Sequence, residues 1–256
     1  MKAYNPIPSN KIAEHVHRIL VIENYHVTNP FTLPLFANGS PTLLFLTARG
    51  TIDNNTANHL TLFGQTVFPE TLTIKDKFTM IAYFFKPFSL FSLFGISPQE
   101  LTDKPVDLNL LPLSKTAELR EKLLNAGTVE NMIALLDDYI SNLINKTRAD
   151  FRIIKYATTQ IATNTSKESL ILVQRDLHVT ERTFQRMFDR TIGIAPNLYR
   201  RICQFNSAFE QLNRRKYYRL SDIAFDHGYA DQSHYIRAFR EFTNITPKDY
   251  LKFAGG

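Results

Sequence analysis

Several chemistries are closed to this chain by what it lacks. It has one cysteine, Cys203, in 256 residues. No disulfide framework can form within it, and a reducing cytoplasm is the expected setting. No stretch approaches the ~20 consecutive apolar residues that span a bilayer, and the opening Met1, Lys2, Ala3 carries no apolar signal region. The nine glycines never gather into a phosphate-cradling loop, and there is no serine elbow and no cysteine nucleophile with a partner. His15 and His17 lie two apart with Glu23 further on, and on a strand they would face one way. No third ligand completes a metal set, and His26 and His59 are isolated. The expectation is a protein that is not an enzyme, with no cofactor and no metal.

Positive charge is unevenly distributed. The whole chain carries a formal +6; residues 151–256 hold 17 Lys+Arg against 10 Asp+Glu, a net of +7, and the first 150 hold the remaining 13 and 14, a net of −1. A concentrated basic region is the footprint of a polyanion binder, because each neutralised phosphate releases condensed counterions. For Arg214, Arg215, Lys216 and Arg219, surface solvation and phosphate contact are both open readings.

The same basic region contains a repeat. Thr180 to Tyr199 and Asp231 to Tyr250 align at an offset of 51, pairing Thr180 with Asp231, Phe184 with Tyr235, Arg186 with Arg237, Phe188 with Phe239 and Pro196 with Pro247. A fixed offset of this kind marks one supersecondary unit used twice. In the first copy Thr180 is placed to cap a helix whose apolar face is Phe184, Met187, Phe188 and Thr191. Arg182, Gln185, Arg186, Asp189 and Arg190 fall on the other side. The second copy puts Tyr235, Ala238, Phe239 and Phe242 inward and Ser233, Ile236, Arg237 and Arg240 outward. A shorter helix precedes each copy, over Lys167–Asp176 and Ser221–Asp226, and a tight break follows it, with Gly228 supplying positive φ in the second. Helix, short turn and capped basic helix make a helix-turn-helix, whose second helix enters a DNA major groove.

The run from Ser221 to Arg240 and the ending Ile245, Thr246, Pro247, Lys248, Asp249, Tyr250 resemble the DNA-binding domain of the AraC/XylS family of bacterial transcription regulators, over roughly the last hundred residues. Three positions depart from the pattern: His178 stands where the first turn carries glycine, Ala195 replaces the hydroxyl cap that Thr246 provides before Pro247, and Asn244 takes the place of Gly193. The resemblance implies base reading by Arg182, Gln185 and Arg186 in the first unit and by Gln232, Ser233, His234 and Arg237 in the second, with Ile236 for a thymine methyl. Arginine can fork onto guanine, and glutamine onto adenine. Thr183 and Arg240 fit phosphate contacts, and Arg190 completes the outward face. Pro196 to about Leu212 reads as a long spacer helix with Tyr199, Ile202, Phe205, Ala208, Phe209 and Leu212 as its apolar stripe. Cys203 in that helix reads as a packed thiol.

Residues 1 to about 113 read as β-rich, with runs at Ile19–Val27, Pro41–Thr47, His59–Phe63, Gln65–Phe68 and Phe78–Phe85, broken at segments such as Gly50 to Asn55. A short apolar helix over Pro87–Gly95 follows. This part resembles the cupin-like barrel or sandwich of AraC relatives, and Ser97 to Asp103 resembles a poorly characterised sensor-like domain. Ser114–Asn125 and Thr128–Asn145 form an amphipathic helical pair that either packs on the β region or makes a dimer contact. The expected fold is α+β: a β-rich sensor or dimerisation domain over 1–146 ending in that pair, then an all-α double helix-turn-helix domain over 147–256. Double-stranded DNA is the expected partner; RNA polymerase, a small-molecule effector and a second copy of the chain are further candidates, and a membrane is not. The competing reading, a catalytic module tethered to DNA as in repair proteins that share this reader, needs alkyl-accepting cysteines that the N-terminal part lacks.

Overall fold

A computed structural model describes residues 1–53, 55–111, 116–147 and 150–253. Among these residues ten strands come first: β1 (Lys2–Tyr4), β2 (Val16–Asn24), β3 (Phe31–Leu35), β4 (Thr42–Leu46), β5 (Gly50–Ile52), β6 (Asn55–Ala57), β7 (Leu60–Phe63), β8 (Glu70–Ile74), β9 (Phe78–Phe85) and, after the helix α1 (Ser89–Phe94), β10 (Val106–Asp107). They form two antiparallel sheets, ordered β1-β2-β9-β4-β7-β10 and β3-β8-β5-β6. Of the two expected β architectures, the sandwich is the one formed.

The central strands β9, β4 and β7 of the first sheet are buried on both faces, which explains why β9 reads Phe-Thr-Met-Ile-Ala-Tyr-Phe-Phe without polar alternation. Successive side chains point to opposite faces. Leu43, Phe45, Ile81, Tyr83 and Phe85 pack with the helices, whereas Leu44, Leu46, Phe78, Met80 and Ala82 fill the space between the sheets. The helical pair α2 (Ala117–Leu124) and α3 (Val129–Lys146) covers the first of these faces. Met132, Leu136 and Ile140 of α3 are buried there, and the Tyr83 hydroxyl donates to Asp137 Oδ1 at 2.7 Å. Thr128 caps α3 by accepting from Asn131 N. Packing on the sheet thus accounts for the pair's apolar faces; Ser114, expected in the first helix, lies outside the described residues.

Three expectations are corrected. Gln65–Phe68 is not a strand but a loop, pinned by the Asp103 carboxylate accepting from Val67 N at 2.7 Å and Phe68 N at 3.0 Å. Gly50 to Asn55 is not merely a break: β5 and β6 pair across it. His15 and His17 do not share a strand face. His15 precedes β2, buried, with Nδ1 3.1 Å from Ser89 Oγ, while His17 lies in β2 beside a register shift at Val16/Arg18 and packs near Phe84. Among the described residues no three His, Cys, Asp or Glu side chains gather as metal ligands.

Among the described residues seven helices follow: α4 (Arg152–Thr163), α5 (Glu168–Asp176), α6 (Glu181–Thr191), α7 (Pro196–Asn213), α8 (Leu220–Asp226), α9 (Gln232–Thr243) and α10 (Pro247–Phe253). Their common core is aromatic, with Phe184, Phe188, Phe205, Tyr235, Phe239 and Phe242 fully buried. At 18 residues, α7 is about 27 Å long at 1.5 Å per residue, and both helical units pack on it. No helix among the described residues is long and apolar enough to cross a membrane.

The two parts of the chain are in contact. His15 sits edge-on to Phe88 and Phe151, which stack at 4.9 Å, and Lys155 pairs with Glu14 at 2.9 Å. Phe36, between β3 and β4, meets Phe209 of α7 and Tyr250 of α10 edge-on. Gly193, at φ +91°, lets the Pro98 backbone approach so closely that a Cβ would lie 2.6 Å from its carbonyl carbon. Thr102 Oγ1 donates to the Gly193 carbonyl at 3.2 Å.

Candidate nucleic-acid interface

Each helix-turn-helix is built by its own local chemistry. In the first, α5 ends at Asp176 and the chain turns through His178 at φ +52°, a left-handed position that histidine fills in place of glycine. Thr180 then caps α6, its Oγ1 accepting from Thr183 N at 3.3 Å. In the second, Gly228 takes φ +69° after α8, and Asp231 caps α9 by accepting from His234 N at 2.7 Å. Capping thus falls to Asp231 and leaves Gln232 outside that role. Asn244, at φ +62°, closes α9 in the left-handed conformation expected of it. Ala195 has no side-chain cap, whereas Thr246 accepts from Asp249 N at 3.1 Å.

The outward faces are free. Arg182, Thr183, Arg186 and Arg190 on α6, and Gln232, Ser233, Arg237 and Arg240 on α9, are exposed, while Phe184, Phe188, Tyr235 and Phe239 beneath them are buried. None of the five arginines has a hydrogen-bond or ion-pair partner among the described residues. Their donors are unspent, as a groove-facing set requires. Gln185 is half-buried and already donates to Asp189 Oδ1 at 3.0 Å; Thr183 accepts from the Thr180 hydroxyl at 3.0 Å. His234 is half-buried against Tyr229, with Nδ1 accepting from Ala230 N at 3.3 Å, which leaves Nε2 as the outward nitrogen. Ile236 is half-buried.

Between the units, Arg214 is spent on Glu210, while Arg215, Lys216 and Arg219 are exposed without ion pairs among the described residues. Asp222 accepts from Arg219 N at 2.8 Å to start α8. Burial pushes the Cys203 thiol up to about 11, so little thiolate exists at neutral pH. Sequence reasoning did not reveal that the sandwich rests on the C-terminal end of α6 through Pro98 and Thr102.

Residues 174–252 match a family model described as a helix-turn-helix domain, of the AraC type. The C-terminal region is an AraC-type helix-turn-helix domain. Residues 5–107 match a family described as a domain of unknown function, DUF6597. Among solved structures the chain is similar to ToxT from Vibrio cholerae O395, at TM-score 0.53 and 11% identity over 93% of this chain and 98% of that one. A 1.65 Å structure of ToxT from Vibrio cholerae in a P21 form gives TM-score 0.51 and 11% identity over the full length of both. At that identity the likeness establishes the fold alone. No curated protein matches the sequence.

Proposed function

We propose that this protein is a sequence-specific transcription regulator in which α6 and α9 read successive major-groove faces on one side of a duplex, under the control of a small molecule held by the β-rich domain over residues 1–146. The observation that carries the reading is the pair of unspent arginines, Arg186 and Arg237, at equivalent positions of two capped helices braced on α7. Helix α7, at about 27 Å, is shorter than the ~34 Å groove repeat, so simultaneous reading bends the DNA toward the protein. Arg182, Gln185, Gln232, Ser233, His234 and Ile236 belong to the base-facing set, and Thr183, Arg190 and Arg240 to the phosphate-facing rim. Gln185 must exchange its Asp189 bond for a base. Selection of genomic fragments bound by the purified protein is expected to return sites with two conserved blocks about one helical turn apart. A single short block would remove the tandem reading.

A cavity of about 300 Å³ supports the effector half of the proposal. It lies among Leu33, Leu44, Met80 and Phe84 of the two sheets, and Phe205 and Phe209 of α7 close it. The one charged group in its lining is Arg18, whose guanidinium sits 3.9 Å from the Phe84 ring centre without an ion pair among the described residues. Its charge has no counter-ion among the described residues, so an acidic group on an occupant would supply one. The effector it fits is an apolar molecule with one acidic group. Because Phe205 and Phe209 also pack on Phe239, an occupant touches the spacer between the two readers directly.

In a thermal-shift series, apolar monocarboxylic acids are expected to raise Tm more than their amides, by linkage worth about 2.7 kcal/mol at a hundredfold excess over Kd. Arg18→Met is expected to erase the difference between acid and amide. Equal shifts for the two series with Arg18 intact would remove the acidic group from the assignment.

A further inference from the structure

Between the two helix-turn-helix units lies a second concavity of about 1000 Å³, far more polar than the first. Its floor is the face of α7 carrying Asn197, Arg200, Arg201 and Gln204. One wall is the 164–168 segment that opens α5, and the other is the Asp226–Tyr229 turn with His234 of α9. Arg200 is only 4% exposed. Its Nε donates to Asn197 Oδ1 at 3.1 Å, and its Nη1 donates to the Thr165 carbonyl at 2.7 Å and to Gln204 Oε1 at 3.2 Å. Every acceptor is neutral, so none of its hydrogen-bond partners offsets the guanidinium charge, and burying that charge costs free energy. Nη2 has no partner among the described residues and is not sealed from solvent.

The same hydrogen bonds join the two walls. Arg200 reaches Thr165 on the first unit's side, and Gln204, which it also holds, donates to the His227 carbonyl of the second at 2.8 Å. Lys167 adds an exposed ammonium that forms no ion pair among the described residues. Arg201 is paired with Glu241, and the lining holds two carboxylates, Glu168 and Asp226, the latter accepting from the neutral Gln211 Nε2 at 2.8 Å.

We infer that this cleft seats the sugar-phosphate backbone passing between the two major grooves, with Arg200 and Lys167 as its phosphate-binding groups. The inference rests on the tandem reading above: a duplex entered at two successive grooves must present the intervening backbone to the space between the readers. Phosphate contacts there fix the spacing of the two units without reading sequence. A planar guanidinium held by three neutral acceptors is prepositioned for a phosphate oxygen.

The test uses the full-length chain and a 30-bp random-sequence duplex, with affinity measured against NaCl concentration. Each phosphate contact contributes about 0.9 to the slope of log K on log salt. Lys167→Gln and Arg200→Gln are each expected to flatten the slope by about one, while Arg200→Lys retains it. If both Gln variants melt like the wild type and keep its slope, the inference is wrong. Should Arg200→Gln fail to fold, Lys167→Gln decides alone. If 10 mM inorganic phosphate at constant ionic strength weakens the wild type but not Arg200→Gln, the cleft is a free-anion site and the backbone assignment falls. A wild type with no salt-dependent duplex binding would instead overturn the DNA reading itself.

Discussion

Phe239→Ala is expected to destabilise the C-terminal domain by about 3–5 kcal/mol in urea unfolding, the cost of emptying a large aromatic site that cannot fully collapse. The ring is completely buried and lies within 6.0 Å, centre to centre, of Phe205, Phe209, Tyr235 and Tyr250. Those four come from α7, α9 and α10, so no single side-chain rotation can fill the hole. Against a typical stability of 5–15 kcal/mol, such a loss leaves the second unit partly open, and DNA affinity is expected to fall with it. Phe209 also walls the cavity beside Arg18 and touches Phe36, so the effector response weakens in the same variant. A loss below 1 kcal/mol would mean that this cluster does not hold α9 on α7.

The helical half was legible because its signals are local. The cap at Thr180, left-handed turns at His178, Gly228 and Asn244, and apolar faces at helical spacing all act within a few residues, and each is visible in the structure. The β-rich half was legible only in part. Phe78–Phe85 was placed to the residue because a strand buried on both faces announces itself as a continuous apolar run. The strand Phe31–Leu35 was missed because it contains Pro34, which is tolerated only because β3 is the edge of its sheet. Val67 and Phe68 look like strand residues, yet Asp103, some 35 positions away, takes their amide hydrogens and holds a loop. The contacts between the two halves carry no sequence signature at all. Nothing in His15, Phe88 and Phe151 as letters says that their rings meet, and nothing in Gly193 says that Pro98 lies against it.

Arg186 and Arg237 carry the largest expected effect on function. A forked arginine–guanine contact is worth about 1–3 kcal/mol of discrimination. Arg186→Ala and Arg237→Ala are therefore each expected to weaken binding to the selected site by roughly 5- to 150-fold, at 1.4 kcal/mol per factor of ten. The two residues lie on separate helices with no shared partner, so their effects should add, and the double variant should lose about 2–6 kcal/mol. Binding to random duplex should change far less, because Arg182, Arg190, Arg240 and the central cleft keep their charge. Stability should hold as well: both side chains are exposed and unpaired, and exposed substitutions of this kind usually stay within about 0.5 kcal/mol. The decisive measurement is competition between the selected site and a random duplex of equal length. Equal losses on both would show that these arginines meet phosphates, moving base readout to the neighbouring Gln185, Gln232 and His234.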